Sequence, residues 1–280
     1  MRRKRSNVAL RFCLSRRATA IPVSFLLLFV SLTIIVSTTY YVSVMKIQAK
    51  GQLLNVALAK RNMLTFENSI GIAKWSVGTS AVCHFEDSGG TFKTYPTAKS
   101  LLIEITDNST FYTAVFNSSV GQVAYELPSA AIAVYTFYMK GDKRAIINQS
   151  AFTSAQLCLS AGAFSPEITL TYRPMAAIGE TGFERGRPVN TLRIYIINLN
   201  TSEKVVSQGE FNVKATCTEV FSKFQTYNVT HAVSSIFVKA VSGERTDIIA
   251  LPVSSNEEGA FLKVETLVCQ IRLERIEGGG

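Results

Sequence analysis

The sequence predicts a mainly β protein: a long amino-terminal transmembrane α-helix followed by an antiparallel β-sandwich-like exterior domain. Three observations carry that expectation. Seven basic residues and no acid occur up to Arg17, no charge follows until Lys46, and from Ser80 onward apolar residues recur at every second position. An abrupt change from helical period to period two separates an all-helical front from a strand-rich remainder.

Residues 1–18 form a basic leader. Residues 19–45 form the transmembrane helix, 46–78 a helical extension and 79–280 the β-rich domain. The 28 uncharged residues between Arg17 and Lys46 would make a helix about 42 Å long, against a hydrocarbon core of roughly 30 Å. Arg2, Arg3, Lys4, Arg5, Arg11, Arg16 and Arg17 all lie close to this run. The positive-inside bias therefore leaves the leader in the cytoplasm and sends everything after Lys46 outside, a single-pass topology with the membrane as partner.

Charge excludes one function class. The leader supplies seven of the nine net positive charges, leaving +2 for the rest. The remaining Lys and Arg are interspersed with Asp and Glu, so no nucleic-acid groove is expected.

Beyond Lys46 the periodicity stays helical, with Leu53, Val56, Ala57, Met63, Leu64 and Ile70 as the apolar stripe expected to pack on the domain that follows. Either one helix runs from near Pro22 to about Ile72, or a membrane helix is followed by a separate juxtamembrane one. Proline is at home in a first turn and costs about 3 kcal/mol in a helix interior, so the start is expected just before Pro22.

The segment Arg16-Arg17-Ala18-Thr19-Ala20-Ile21-Pro22 resembles the class III leader of archaeal type IV pilins and related surface proteins. That resemblance implies cleavage between Ala18 and Thr19, with Ala20 and Ile21 as the alternative pair, and retention of the apolar helix. Bacterial pilins carry an acidic residue at the fifth mature position, where this chain has Val23 or Phe25. A long helix followed by a β-rich head is similar to type IV pilins and archaellum-associated stator proteins. The resemblance implies a structural or accessory subunit whose partners are other pilin-like subunits or cell-envelope components. A signal-anchored envelope-binding protein that does not polymerise is the alternative.

Five N-x-Ser/Thr sequons, at Asn108, Asn117, Asn148, Asn200 and Asn228, fall in the predicted exterior part and are candidates for N-glycosylation. Cys13 lies in the leader; Cys83, Cys158, Cys217 and Cys269 lie outside it. They are either buried thiols or candidates for an inter-strand disulfide in an oxidising exterior.

The strands expected are 81–86, 91–95, 101–106, 111–116, 123–127, 131–139, 144–148, 156–160, 168–172, 192–198, 210–218, 235–240, 247–251 and 261–275. Asp87-Ser88-Gly89-Gly90 and Lys140-Gly141-Asp142-Lys143 read as hairpin turns. The change of apolar phase after Val264 implies a β-bulge near Thr266, or a strand passing from one sheet to another. Residues 179–188, rich in glycine and charge, read as a long exposed loop suited to binding.

Catalytic signatures are missing from the sequence: there is no Gly-x-Ser-x-Gly, His-Glu-x-x-His, Walker or Rossmann pattern. No Cys-x-x-Cys occurs and His84 and His231 are the only histidines, so no metal or cofactor is expected. The chain reads as a binding or assembly protein and not as an enzyme.

Overall fold

In a computed structural model, residues 16–109, 111–128, 135–151, 153–162 and 165–276 are described, with side chains from Val23 onward. The leader with Cys13, and residues 131–134 of one expected strand, lie outside them. The chain is mainly β, with one long amino-terminal helix and mixed sheets. It divides into two compact units, the second starting at Leu54.

Helix α1 covers Arg16–Ala73. It therefore begins six residues ahead of the proline expected in its first turn, a start that costs the backbone hydrogen bond Pro22 cannot donate. In the second unit the helix buries Ala59, Met63, Phe66, Ile70 and Ala73. This alternation of four- and three-residue steps lines up one face. Half of the expected stripe lies on this face: Val56, Met63 and Ile70 pack on the core, but Leu53, Ala57 and Leu64 are exposed. Phe66 anchors the buried face, reaching Phe85 at 5.5 Å and Phe92 at 5.6 Å between ring centroids.

The strands form two sheets. The first has the order β1 (Ser80–Phe85), β11 (Phe211–Val229), β14 (Ala260–Ile276), β9 (Arg187–Asn198), β8 (Met175–Glu184) and β5 (Ile147–Asn148). In the second, β13 (Arg245–Pro252), β12 (Ser235–Ser242), β2 (Thr91–Thr106), β3 (Tyr112–Glu126), β7 (Pro166–Tyr172), β6 (Ala155–Ala161) and β4 (Phe137–Lys140) follow in order. The short β10 (Val206–Gln208) pairs with β2. Pairing is antiparallel except for β14 with β9 and β5 with β8. Phe85 comes from the first sheet and Phe92 from the second, so Phe66 touches both and closes the core between them.

Several expectations need correction. The segments 91–95 and 101–106 are one strand, β2, interrupted at Pro96 by an irregularity between Tyr95 and Lys99; proline cannot donate to a ladder and is accommodated there. The two glycine turns are not hairpins. Residues 87–90 lead from β1 in the first sheet to β2 in the second, and residues 141–143 follow β4, whose partner is β6, on the way to β5, whose partner is β8. Residues 179–188 are not a loop but the β8–β9 hairpin, turning at Arg185 (φ 53°) and Gly186 (φ 77°), with a register shift between Glu180 and Gly182. Paired left-handed residues match the twist of a tight hairpin.

No bulge occurs at Thr266. β14 keeps unbroken register with β9, and the extra residue lies in β11, between Cys217 and Glu219. The phase change is nevertheless real: consecutive Val268 and Cys269 are both buried. Their side chains leave opposite faces of the strand, Val268 into one core cluster and Cys269 into the other. On the neighbouring β9, Ile196 and Ile197 make the same switch and sit beside Val268 and Cys269 in register. One sheet thus covers two cores, one on each face. At the division Asn198, 1 % exposed, donates to Ser119 O at 3.0 Å and accepts from Gly121 N at 3.3 Å. A Cβ on Gly121 would stand 2.6 Å from the Leu199 carbonyl, so only glycine allows this approach.

Removing the Phe66 ring should cost about 3–5 kcal/mol. In urea unfolding of the detergent-solubilised full chain, Phe66→Ala is expected to lower the midpoint strongly. Phe183→Ala, 71 % exposed in the wild type, should change stability by no more than about 0.5 kcal/mol; equal effects would contradict the packing described.

Candidate functional site

Within residues 23–53 of α1, apolar side chains face outward on every side. Phe25 is 71 % exposed and Leu26, Leu27, Leu28 and Phe29 are all above half. The most apolar window has a mean hydropathy of 2.0 and is buried nowhere. Three of its hydroxyls bond back onto the helix: Ser31 donates to Leu28 O at 2.9 Å, Thr33 to Phe29 O at 2.8 Å and Thr38 to Ile34 O at 2.8 Å. Lipid demands this arrangement, because it offers no water to polar groups. Among the described residues, one helix is thus long and apolar enough to span a membrane.

The candidate cleavage positions Ala18, Thr19, Ala20 and Ile21 lie in the first turns of α1. Of the sequon asparagines, Asn108, Asn117 and Asn228 are exposed, while Asn148 and Asn200 are half-buried. Asn117 and Asn228 belong to strands and not to loops. Asn148 Oδ1 accepts from the Ser150 hydroxyl at 2.6 Å, and Asn228 Oδ1 accepts from Arg187 at 2.6 Å.

All four described cysteines are buried free thiols. The fold brings two of them together, Cys217 and Cys269, with sulfurs 3.6 Å apart; Cys83 and Cys158 stand elsewhere. Burial pushes the Cys83 thiol up to about 11 and that of Cys269 up to about 12, so neither is a nucleophile near neutral pH.

His231 Nε2 stands 3.0 Å from Ser109 Oγ and 3.4 Å from Asp107 Oδ2. This has the composition of a catalytic triad but not its geometry, because the acid must hold the ring nitrogen opposite the one facing the hydroxyl. Asp107 Oδ1 instead accepts the backbone N–H groups of Ser109 and Phe111 at 2.8 and 2.9 Å, shaping the turn. His84 is an exposed strand residue, with Nδ1 2.9 Å from Asn212 Oδ1 and Nε2 3.2 Å from Glu210. Among the described residues no group of three or more potential metal ligands occurs.

Sequence reasoning missed a cavity of about 540 Å³ where α1 ends. Asn68, Lys74 and Trp75 from the helix end meet Lys140 and Tyr195 there. Trp75 terminates the helix in the left-handed conformation (φ 68°), a position usually given to glycine. Its backbone N–H donates to Cys269 Sγ at 3.3 Å, and its ring stands edge-to-face on Tyr195, 5.7 Å between centroids. Lys140 pairs with the buried carboxylate of Glu67. Lys74 has no ion-pair partner among the described residues. Such a recess can take a small ligand with a flat apolar face and a polar or anionic group. Trp75 and Lys140 are too far apart in sequence for any motif to announce it.

Beside it, Asp142 binds Arg144 Nη2 at 2.6 Å and the buried Arg173 Nη1 at 2.5 Å. Arg144 first, and then Arg173, hold the Asp142 carboxyl well below the usual carboxylate range.

No family model matches the chain, and no curated protein or solved structure matches it either.

Because the folded carboxyl of Asp142 titrates below its unfolded value, its contribution to stability is complete above about pH 4 and is lost as the pH falls toward the folded value. A melting-temperature profile between pH 7 and pH 2 is expected to fall less steeply in Asp142→Asn than in the wild type. Parallel profiles would show that the ion pairs contribute nothing.

Proposed function

We propose that this protein is a membrane-anchored, pilin-like archaeal surface protein. Its amino terminus is cytoplasmic and its β-rich head extracellular. It acts as a structural or accessory subunit of a type IV pilus-like assembly. The observation that carries this reading is the helix of residues 23–45, apolar on all sides, with the hydroxyls of Ser31, Thr33 and Thr38 bonded back onto it, and preceded by a leader with seven basic residues and no acid. Charge bias orients such a segment with the leader inside.

The head works by binding and not by catalysis. The unsuitable geometry at His231 and the raised thiols of Cys83 and Cys269 favour that reading. Its partners are neighbouring pilin-like subunits or envelope components, and the exposed Asn108, Asn117 and Asn228 are its N-glycan acceptors.

Determination of the amino terminus of protein purified from membranes tests the pilin route. Removal of the leader should yield a chain starting at Thr19, or at Ile21 from the alternative site. An intact Met1 on all molecules would contradict processing by a pilin-type peptidase.

A further inference from the structure

Strand β11 is paired unequally on its two sides. β14 accompanies it to Val229, but β1 covers it only as far as Thr216. Backbone bonds from Gly78 to Cys217 and from Cys217 to Thr79 extend that cover by one residue. Beyond Cys217, no described residue pairs with the other side of β11, and a row of backbone N–H and C=O groups is left for another strand. Glu219, Phe221, Ser222, Lys223 and Phe224 along it are all exposed, Phe224 to 69 %. The outer edge of the second sheet is treated differently: on β13, Asp247 accepts the Ala145 N–H at 2.6 Å, so the segment ahead of β5 lies over it.

Glu219 and Lys223 point to the occupant. They stand four residues apart on one face of the strand, and neither has an ion-pair partner among the described residues. We propose that residues 218–224 pair antiparallel with the same residues of a second copy of this chain, about a twofold axis at Phe221. In that register each Glu219 faces the other copy's Lys223, the two Phe221 rings meet on the axis, and Thr218 lies opposite Phe224. Directly opposed opposite charges stabilise an antiparallel pair, and an isologous contact uses each of them twice.

Neighbouring registers lose this match. An axis at Ser222 sets Glu219 against Gln225 and Lys223 against Phe221; an axis at Val220 sets Glu219 against Phe221 and Lys223 against Cys217. The ladder also ends by itself, because the partner's Gly78 and Thr79 already occupy the edge at Cys217. The contact is therefore a closed dimer through strand addition and not an open fibre. It does not depend on the helix lying in lipid.

The test uses the full chain in its own membranes. Phe221→Cys supplies a reporter on the axis, and mild oxidation should give a covalent dimer far faster than with Phe183→Cys, an exposed aromatic position away from this edge. On the Phe221→Cys background, Glu219→Lys or Lys223→Glu alone turns two attractions into two repulsions and should reduce the dimer on the order of tenfold. The double exchange Glu219→Lys/Lys223→Glu should restore it. These are surface positions, so unchanged melting temperatures will show that the fold persists. Single exchanges without effect, a double exchange that fails to restore the dimer, or cross-linking no faster than at residue 183 would each overturn the proposal. Loss of the anchor reading would leave this result untouched, because dimers would then form in solution with the same charge dependence.

Discussion

Apolar side chains cannot be left in water over seven turns of helix, and this constraint governs the rest of the molecule. Eleven large apolar residues between Val23 and Val36 are exposed; at about 1.5–3 kcal/mol each, removing them from water is worth on the order of 20 kcal/mol. That exceeds the net stability of an ordinary domain, about 5–15 kcal/mol. Within the first unit no described residue covers them, and an apolar surrounding would. Lipid satisfies the constraint, and the hydroxyl groups of Ser31, Thr33 and Thr38 are already turned back onto the helix as lipid requires.

The other end of α1 obeys the same rule by different means. From Ala59 to Ala73 the helix is amphipathic, and its stripe closes the core where Phe85 and Phe92 meet Phe66. One helix thus combines a stretch whose apolar surface needs an external partner with a stretch that is part of the domain core. The head is built around strands long enough to serve two cores. β9 and β14 exchange faces together, at Ile196–Ile197 and Val268–Cys269, and the Asn198 amide satisfies the backbone where Gly121 approaches Leu199.

Much of this was legible in the sequence. Unbroken hydropathy gave the apolar helix, and alternation gave most strands. What failed did so for identifiable reasons. Glycine and Asp at 87–90 and 140–143 announce a change of direction but not which sheet the next strand will join, so a crossover carries the same signal as a hairpin. Residues 179–188 carry the composition of a loop because the β8–β9 hairpin is exposed at its tip and uses glycine for its irregularity. The phase change in β14 was visible, but alternation alone cannot distinguish an inserted residue from a strand that buries both faces. The cavity at Trp75 and the Asp142–Arg173 pair join residues far apart in the chain, and no spacing rule reaches them.

The proposed surface role requires the β-rich head to lie on the far side of a membrane from the basic leader. Protease treatment of intact cells, read with an antibody to the carboxyl-terminal strands, tests this most directly. The head should be digested or released from unbroken cells while a cytoplasmic marker survives. A head that stays intact until the cells are lysed would contradict the topology, and with it the surface role.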